Sequence, residues 1–201
     1  MRSSSQLSLP LPARGGRRPG AGRKPKGPRP MVSHAARPRF GKPMPVLVTL
    51  RLKNDVWNLR SARCLRRLKT CFAKSLGRFG LRLIEFSVQG NHLHLIVEAD
   101  GNESLSRGMQ GLAVRIAKSL NRLMKRAGRL FADHYHSRLL KTPTELVRAI
   151  AYVLGNAARH FGTRGVDAFS SAGLSLAERA TFLAEPASWL LRWGWKRVAT
   201  S

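Results

Sequence analysis

Two apolar runs, Leu81–Gln89 and His92–Ala99, are separated only by Gly90-Asn91. Gly90-Asn91 is a tight-turn signal, so the segment reads as an antiparallel β-hairpin. Along a strand, residues i and i+2 share a face. His92 and His94 therefore project side by side, while Leu93 and Leu95 point to the opposite face. Two imidazoles at that spacing can hold a divalent metal, or can simply be hydrogen-bonded strand residues.

The elements around the hairpin follow from their periods. A folded region begins near Pro43, with a strand over Pro45–Lys53 in which Val46, Val48, Leu50 and Leu52 alternate with Leu47, Thr49 and Arg51. Ser61 is the expected N-cap of a helix running to about Phe79. Its apolar stripe is Leu65, Leu68, Phe72, Leu76 and Phe79, with Gly77 and Gly80 where it should end. A second helix is expected from a Ser104 cap to about Ala127, with Leu105, Met109, Leu112, Ile116, Leu120 and Leu123 facing the core. Its Arg115, Lys118, Arg122 and Arg126 keep to another face. A fourth strand is expected around Tyr135–Leu140, and His134 and His136 on either side of Tyr135 make a second H-x-H. Thr142-Pro143-Thr144-Glu145 then opens a helix to about Phe161. The order β-α-β-β-α-β-α predicts an α+β fold: a ferredoxin-like split βαβ sandwich with one appended helix. Residues 1–42 read as a basic, Pro/Gly-rich flexible tail, 43–165 as the folded domain and 166–201 as a C-terminal extension. In that extension Leu176–Leu183 suggests a short helix, before a basic stretch bearing Trp189, Trp193 and Trp195.

Charge narrows the partners. The 201 residues carry 37 Lys+Arg against 10 Asp+Glu, a net charge of +27, which favours nucleic acid and then an anionic membrane surface. Thirteen of the cations precede the first carboxylate, Asp55. The densest part of the tail includes Arg17, Arg18, Arg23, Lys24 and Lys26, expected to contact phosphates without sequence preference. Gly22-Arg23-Lys24-Pro25 within it loosely resembles the core of a minor-groove AT-hook. No apolar run approaches the roughly 20 residues of a membrane span, and no signal-peptide pattern opens the chain. Cys64 and Cys71, seven residues apart on one expected helix, would be separated by about 10.5 Å of rise, too far for a disulfide. Reduced, helical cysteines point to a cytoplasmic protein.

The last helix carries a second chemically pointed pair. Its apolar side is Leu146, Val147, Ile150, Val153, Leu154 and Phe161, and Tyr152 falls away from the centre of that side. Tyr152 shares a polar stripe with Arg148, Asn156 and Arg159. A metal on a strand, a hydroxyl nucleophile on a helix and a cationic surface suggest phosphodiester chemistry, in which tyrosine oxygen attacks phosphorus. A free phenol ionises only near pH 10, so charge neutralisation at the phosphate would help. Asn156, one turn from Tyr152, is the expected third ligand beside His92 and His94.

The strand with His92-Leu93-His94, the helix with Met109-Gln110 and Asn121, then Tyr135-His136-Ser137 and Tyr152-Val153-Leu154-Gly155-Asn156 resemble the single-tyrosine HUH transposases, nearest to the REP-associated tyrosine transposases. The resemblance spans roughly 43–165, with a C-terminal echo in Val166-Asp167, Phe169-Ser170-Ser171 and Trp189-Leu190-Leu191. It implies a ferredoxin-like HUH domain and metal-dependent cleavage and rejoining of single-stranded or hairpin DNA through a 5′-phosphotyrosine on Tyr152. His92, His94 and Asn156 would hold Mg²⁺ or Mn²⁺, and Arg115, Lys118, Arg122, Arg148 and Arg159 would meet DNA. It further implies a bacterial, nucleoid-associated protein with DNA as partner, and it admits a homodimer. Two features depart from the family pattern: Ala157 stands where proline commonly follows, so this helix should run on, and the first strand ends in Leu52-Lys53-Asn54-Asp55. The alternative class is a DNA-hairpin-binding protein that keeps the fold without catalysis. A basic RNA-binding module fits less well, because the strands are aliphatic and offer few stacking aromatics.

Overall fold

The structure, a computed structural model, describes residues 39–162 and 165–196, with side chains throughout except at 157–161. Four strands, β1 (Met44–Arg51), β2 (Leu81–Val88), β3 (His92–Ala99) and β4 (His136–Leu139), form one sheet in the order β2-β3-β1-β4. Every pairing is antiparallel. Helices α1 (Ala62–Ala73) and α2 (Asn102–Leu123) lie between strands that β3 and β1, respectively, separate. This is the expected split βαβ arrangement.

The alternation of side chains divides the sheet into two unlike faces. Val46, Val48, Leu50, Phe86, Val88, Leu93, Leu95 and Val97 pack with Leu68 and Phe72 of α1 and Met109, Leu112 and Ile116 of α2 in the main core. On the other face Ile84 and Ile96 meet Leu146, Ala149 and Val153 of α3 (Pro143–Phe161), with Leu190 and Leu191 from a π-helical turn. A register shift between Leu83 and Glu85 puts Ile84 and Glu85 together on this second face.

Several boundaries differ from expectation. α1 begins after its Ser61 cap, whose hydroxyl accepts from the Cys64 N–H at 3.2 Å, but it stops at Ala73 rather than near Phe79. Gly77 and Gly80 have φ of +66° and +67°, and Phe79 itself sits at +58°. A helix cannot pass through that left-handed backbone. Phe79 is thus exposed, its ring beneath Arg107 at 5.1 Å, rather than on a core stripe. α2 starts two residues before Ser104, and the Asn102 side chain instead accepts the Phe40 N–H at 2.7 Å. It ends at Leu123, short of Ala127, where Lys125 and Gly128 turn left-handed. α3 continues past Ala157 to Phe161, as the missing proline suggests. Thr142 and Glu145 cap it: the Thr142 hydroxyl accepts from the Glu145 N–H, and the Glu145 carboxylate from the Lys141 N–H.

Residues 165–196 run along the edge of β2. Val88 donates to the Phe169 carbonyl and Ala184 to that of Leu83, both at 2.8 Å. Buried acids fasten this segment. Asp167 takes a two-pronged contact from Arg60 at 2.8 and 3.0 Å. Glu85 is held by Arg179 and Ser171. Glu98, fully buried, accepts from Arg82 at 2.6 Å and from the Ala187 and Ser188 N–H groups at 2.7 Å. Burial pushes the Glu98 carboxyl up, but hydrogen bonds from Ser188, Ala187 and Arg82 outweigh it and hold it below the usual glutamate value. The covered edge cannot template pairing with another strand. Cys64 and Cys71 are buried free thiols, and no described helix is long and apolar enough to cross a membrane.

Candidate functional site

β3 presents His92 and His94 on the second sheet face, and their Nε2 atoms lie 3.1 Å apart. Each ring is oriented by its other nitrogen. His92 Nδ1 meets the Asn91 amide oxygen at 2.9 Å. An amide oxygen only accepts, so that bond puts the proton on Nδ1 and leaves the Nε2 lone pair of His92 outward. His94 Nδ1 meets Thr49 Oγ1 at 3.0 Å, across the register pair Thr49–His94. Such outer contacts fix the tautomer and aim of metal-binding imidazoles.

α3 brings Tyr152 over the pair. Its hydroxyl is 3.3 Å from His94 Nε2, and the rings meet edge-on with centroids 5.0 Å apart. His94 is only 4 % exposed, whereas Tyr152 keeps 40 % of its surface in solvent. The inner imidazole is therefore shielded while the phenol stays reachable. A cavity beside Tyr152 is lined by Thr49, Arg138, Arg148 and Glu145. Arg148 lies one turn before Tyr152, as expected. Arg138 was not anticipated: it stands opposite Leu47 on β4, where it donates to Glu145 at 3.2 Å.

Asn156 departs from its expected place on a polar stripe. It continues the buried line Leu146, Ala149, Val153 and is 1 % exposed. The sheet beneath α3 turns from apolar Ile84 and Ile96 to polar Ser87, paired with His94, towards the hairpin, so the helix buries an amide there. Neither Asn156 Oδ1 nor Nδ2 has a hydrogen-bond partner among the described residues; the other such orphan is Gln89 Oε1, at the end of the same hairpin arm. Buried amides left unpaired cost about 1–3 kcal/mol and call for an explanation, such as a water or an ion.

Two imidazole nitrogens 3.1 Å apart and a buried, unpartnered amide are a donor set of the kind that divalent cations accept. No group of three or more His, Cys, Asp or Glu gathers among the described residues. An amide oxygen such as that of Asn156 is the donor type that hard cations accept.

The other expected residues fall elsewhere. His136 lies beyond Thr49 in the same cross-strand row, two strand spacings from His94, about 10 Å. His134 lies outside β4, so the second H-x-H does not form a paired site with the first. Arg115, Lys118 and Arg122 are on α2, across the sheet from Tyr152. The Arg159 side chain, and Arg17, Arg18, Arg23, Lys24 and Lys26, lie outside the described residues. Sequence reasoning missed Thr49, Asn91 and Arg138. Asn91 directly precedes the pair, and Thr49 is the polar residue in the middle of an alternating strand, so both carried a usable signal.

Residues 47–154, more than half of the chain, match the family described as IS200-like transposases. The fold is similar to that of a REP-associated tyrosine transposase bound to a REP hairpin, at 15 % identity and a TM-score of 0.59, covering 79 % of this chain and 93 % of that one. A candidate transposase from Deinococcus radiodurans aligns at 14 % identity and a TM-score of 0.42, over 61 % of this chain and 95 % of that one. No curated protein sequence matches the chain.

Proposed function

Because the chain belongs to the family of IS200-like transposases, we propose that it cleaves and rejoins single-stranded or hairpin DNA through a covalent bond to Tyr152. The observation that carries this reading is the Tyr152 hydroxyl 3.3 Å from His94 Nε2, beside a histidine pair 3.1 Å apart. The similar fold solved with a REP hairpin supports hairpin DNA as the substrate class.

In the proposed reaction the Tyr152 oxygen attacks a backbone phosphorus. A new P–O(tyrosine) bond forms as the P–O3′ bond breaks. The products are a 5′-phosphotyrosine and a 3′-hydroxyl, which takes up one proton as the phenol loses one. Reversal by a 3′-hydroxyl reseals the strand, so no external energy source is required. His92, His94 and Asn156 would hold Mg²⁺ or Mn²⁺, which when bound neutralises charge on the phosphate. Thr49 and Asn91 keep the two imidazoles aimed. Arg148, beside the Tyr152 cavity, offers a cation for a flanking phosphate. The exposed edge of the phenol lets a strand approach, while burial of His94 excludes water from the far side.

The test is incubation with single-stranded REP-like hairpins and Mn²⁺, followed by denaturing electrophoresis. A protein–DNA adduct that disappears in Tyr152→Phe is expected. Hairpins that bind tightly yet stay intact across a broad panel, with or without chelator, would point instead to a non-catalytic hairpin binder.

A further inference from the structure

Among the described residues, three buried side-chain atoms lack a hydrogen-bond partner, and they belong to two amides: Asn156 Oδ1, Asn156 Nδ2 and Gln89 Oε1. Gln89 is as deeply buried as Asn156, each 1 % exposed. Phe86 and Val88 point into the main core, so alternation turns Ser87 and Gln89 to the face of His92 and His94. Ser87 stands opposite His94, and the Gln89 N–H donates to the His92 carbonyl at 2.9 Å. Residues directly opposite on one sheet face keep their Cβ atoms about 4.5–5.5 Å apart, so Gln89 neighbours His92. Its Nε2 donates to Ser87 Oγ at 2.7 Å. That bond leaves Oε1, which can only accept, for another donor.

α3 supplies one. Its buried line passes over Ile84 and Ile96 at Ala149 and Val153, and Asn156 follows one turn later. On the sheet beneath, the rows beyond Ile96 towards the hairpin turn are His94–Ser87 and then His92–Gln89. The two amides thus share the polar end of the interface between α3 and the sheet. An amide has nearly the same shape either way round, but its oxygen attracts a cation and its NH2 repels one. Packing alone cannot choose between the two orientations of Asn156. An acceptor on the side away from the cation can, and Gln89 Oε1 is an acceptor with no partner of its own among the described residues. With Oδ1 committed to a cation and Nδ2 to Gln89, all three atoms are accounted for.

We propose that Gln89 is a positioning residue for the metal centre: its Oε1 accepts from Asn156 Nδ2 and so turns the Asn156 oxygen towards His92 and His94. The inference rests on the reading of Asn156 as a metal ligand and adds a residue that the reading leaves unused. The two amides do not bond one another in the structure; the contact forms when Oδ1 turns to a bound cation. Gln89 touches neither the metal nor the DNA. It acts through Asn156.

The experiment titrates Mn²⁺ alone into the full chain by calorimetry, without DNA. Gln89→Met keeps an unbranched side chain and removes the amide acceptor. Mn²⁺ affinity is expected to fall about 10- to 100-fold, the usual effect of losing a group that aims a ligand. The same change is then made in an Asn156→Asp background. A carboxylate has two accepting oxygens and no donor, so it has no orientation to choose. There Gln89→Met is expected to leave Mn²⁺ affinity unchanged or to raise it. Thermal unfolding in EDTA confirms that the variants fold, and Gln89→Leu repeats the test with a second apolar side chain. Undiminished affinity in Gln89→Met would overturn the proposal. So would an equal loss in both backgrounds, because Gln89 would then act on the metal or the fold directly. Asn156→Leu separates this inference from the ligand reading. If that change weakens Mn²⁺ binding and Gln89→Met does not, Asn156 remains a ligand and the role of Gln89 falls. If neither change weakens it, both fall.

Discussion

Asn156 predicts an inversion in which losing a proposed metal ligand stabilises the protein. Its amide is 1 % exposed, and both polar atoms lack partners among the described residues. Desolvating an amide without new hydrogen bonds costs about 1–3 kcal/mol on mutational scales. Leucine keeps the same branching and heavy-atom count and carries no polar atom. In chelator, Asn156→Leu should therefore be more stable than the wild type by about 1–3 kcal/mol. For a domain of this size that raises Tm by about 2–10 °C. Adding Mn²⁺ should reverse the order. A ligand at a hundred times its Kd stabilises the protein that binds it by about 2.7 kcal/mol, and the variant should gain much less. The assay is differential scanning calorimetry of both proteins, with EDTA and across a Mn²⁺ series. A variant less stable than wild type in EDTA would refute the reasoning, because it would mean the amide is satisfied by the fold. An equal Mn²⁺ gain in both proteins would refute the ligand role while leaving the burial argument intact.

Other outcomes follow from the same structure. Glu98 contributes stability as a buried carboxylate whose folded pKa is depressed. That contribution is full above the ordinary glutamate value near 4.3 and is lost as pH falls through the lower folded value. Urea titrations should show Glu98→Gln costing about 1–3 kcal/mol at pH 7 and flattening the acid limb of the stability curve. Thr49→Val removes the hydroxyl partner of His94 Nδ1; Mn²⁺ affinity should fall about 10- to 100-fold with little change in hairpin affinity, both read by calorimetric titration. Deleting residues 1–38, which spares the Phe40–Asn102 bond, should lower the salt slope of DNA binding by at least about 2, because nine Lys and Arg lie in that stretch.

The fold was legible where a short-range rule sufficed. Gly90-Asn91 between two apolar runs specifies the hairpin, and period alone places α3 and the histidine face. Errors arose where backbone chemistry or long-range packing decides. The stripe through Leu76 and Phe79 suggested a longer α1, but Gly77 and Gly80 turn the chain left-handed before that stripe can be used. Ser104 looked like a cap, yet the chain had already entered α2 at Asn102, fixed by Phe40 some sixty residues away. Of the candidate site, the proximity of His92, His94 and Tyr152 was legible. Asn156 follows Tyr152 by one turn as expected, but its burial was not legible, because it depends on the polar end of a sheet that no helical wheel contains. The acid clasps of Glu85, Glu98 and Asp167 were invisible for the same reason, since their partners lie far along the chain.

The central claim is that Tyr152 attacks DNA, and peptide mapping of the trapped complex tests it most directly. The full chain is incubated with a REP-like hairpin and Mn²⁺, digested with protease and nuclease, and examined by mass spectrometry. The account predicts a 5′-nucleotide joined through phosphate to the Tyr152 oxygen, with a free 3′-hydroxyl on the released strand. A nucleotide on another residue, or an adduct that persists in Tyr152→Phe, would contradict it.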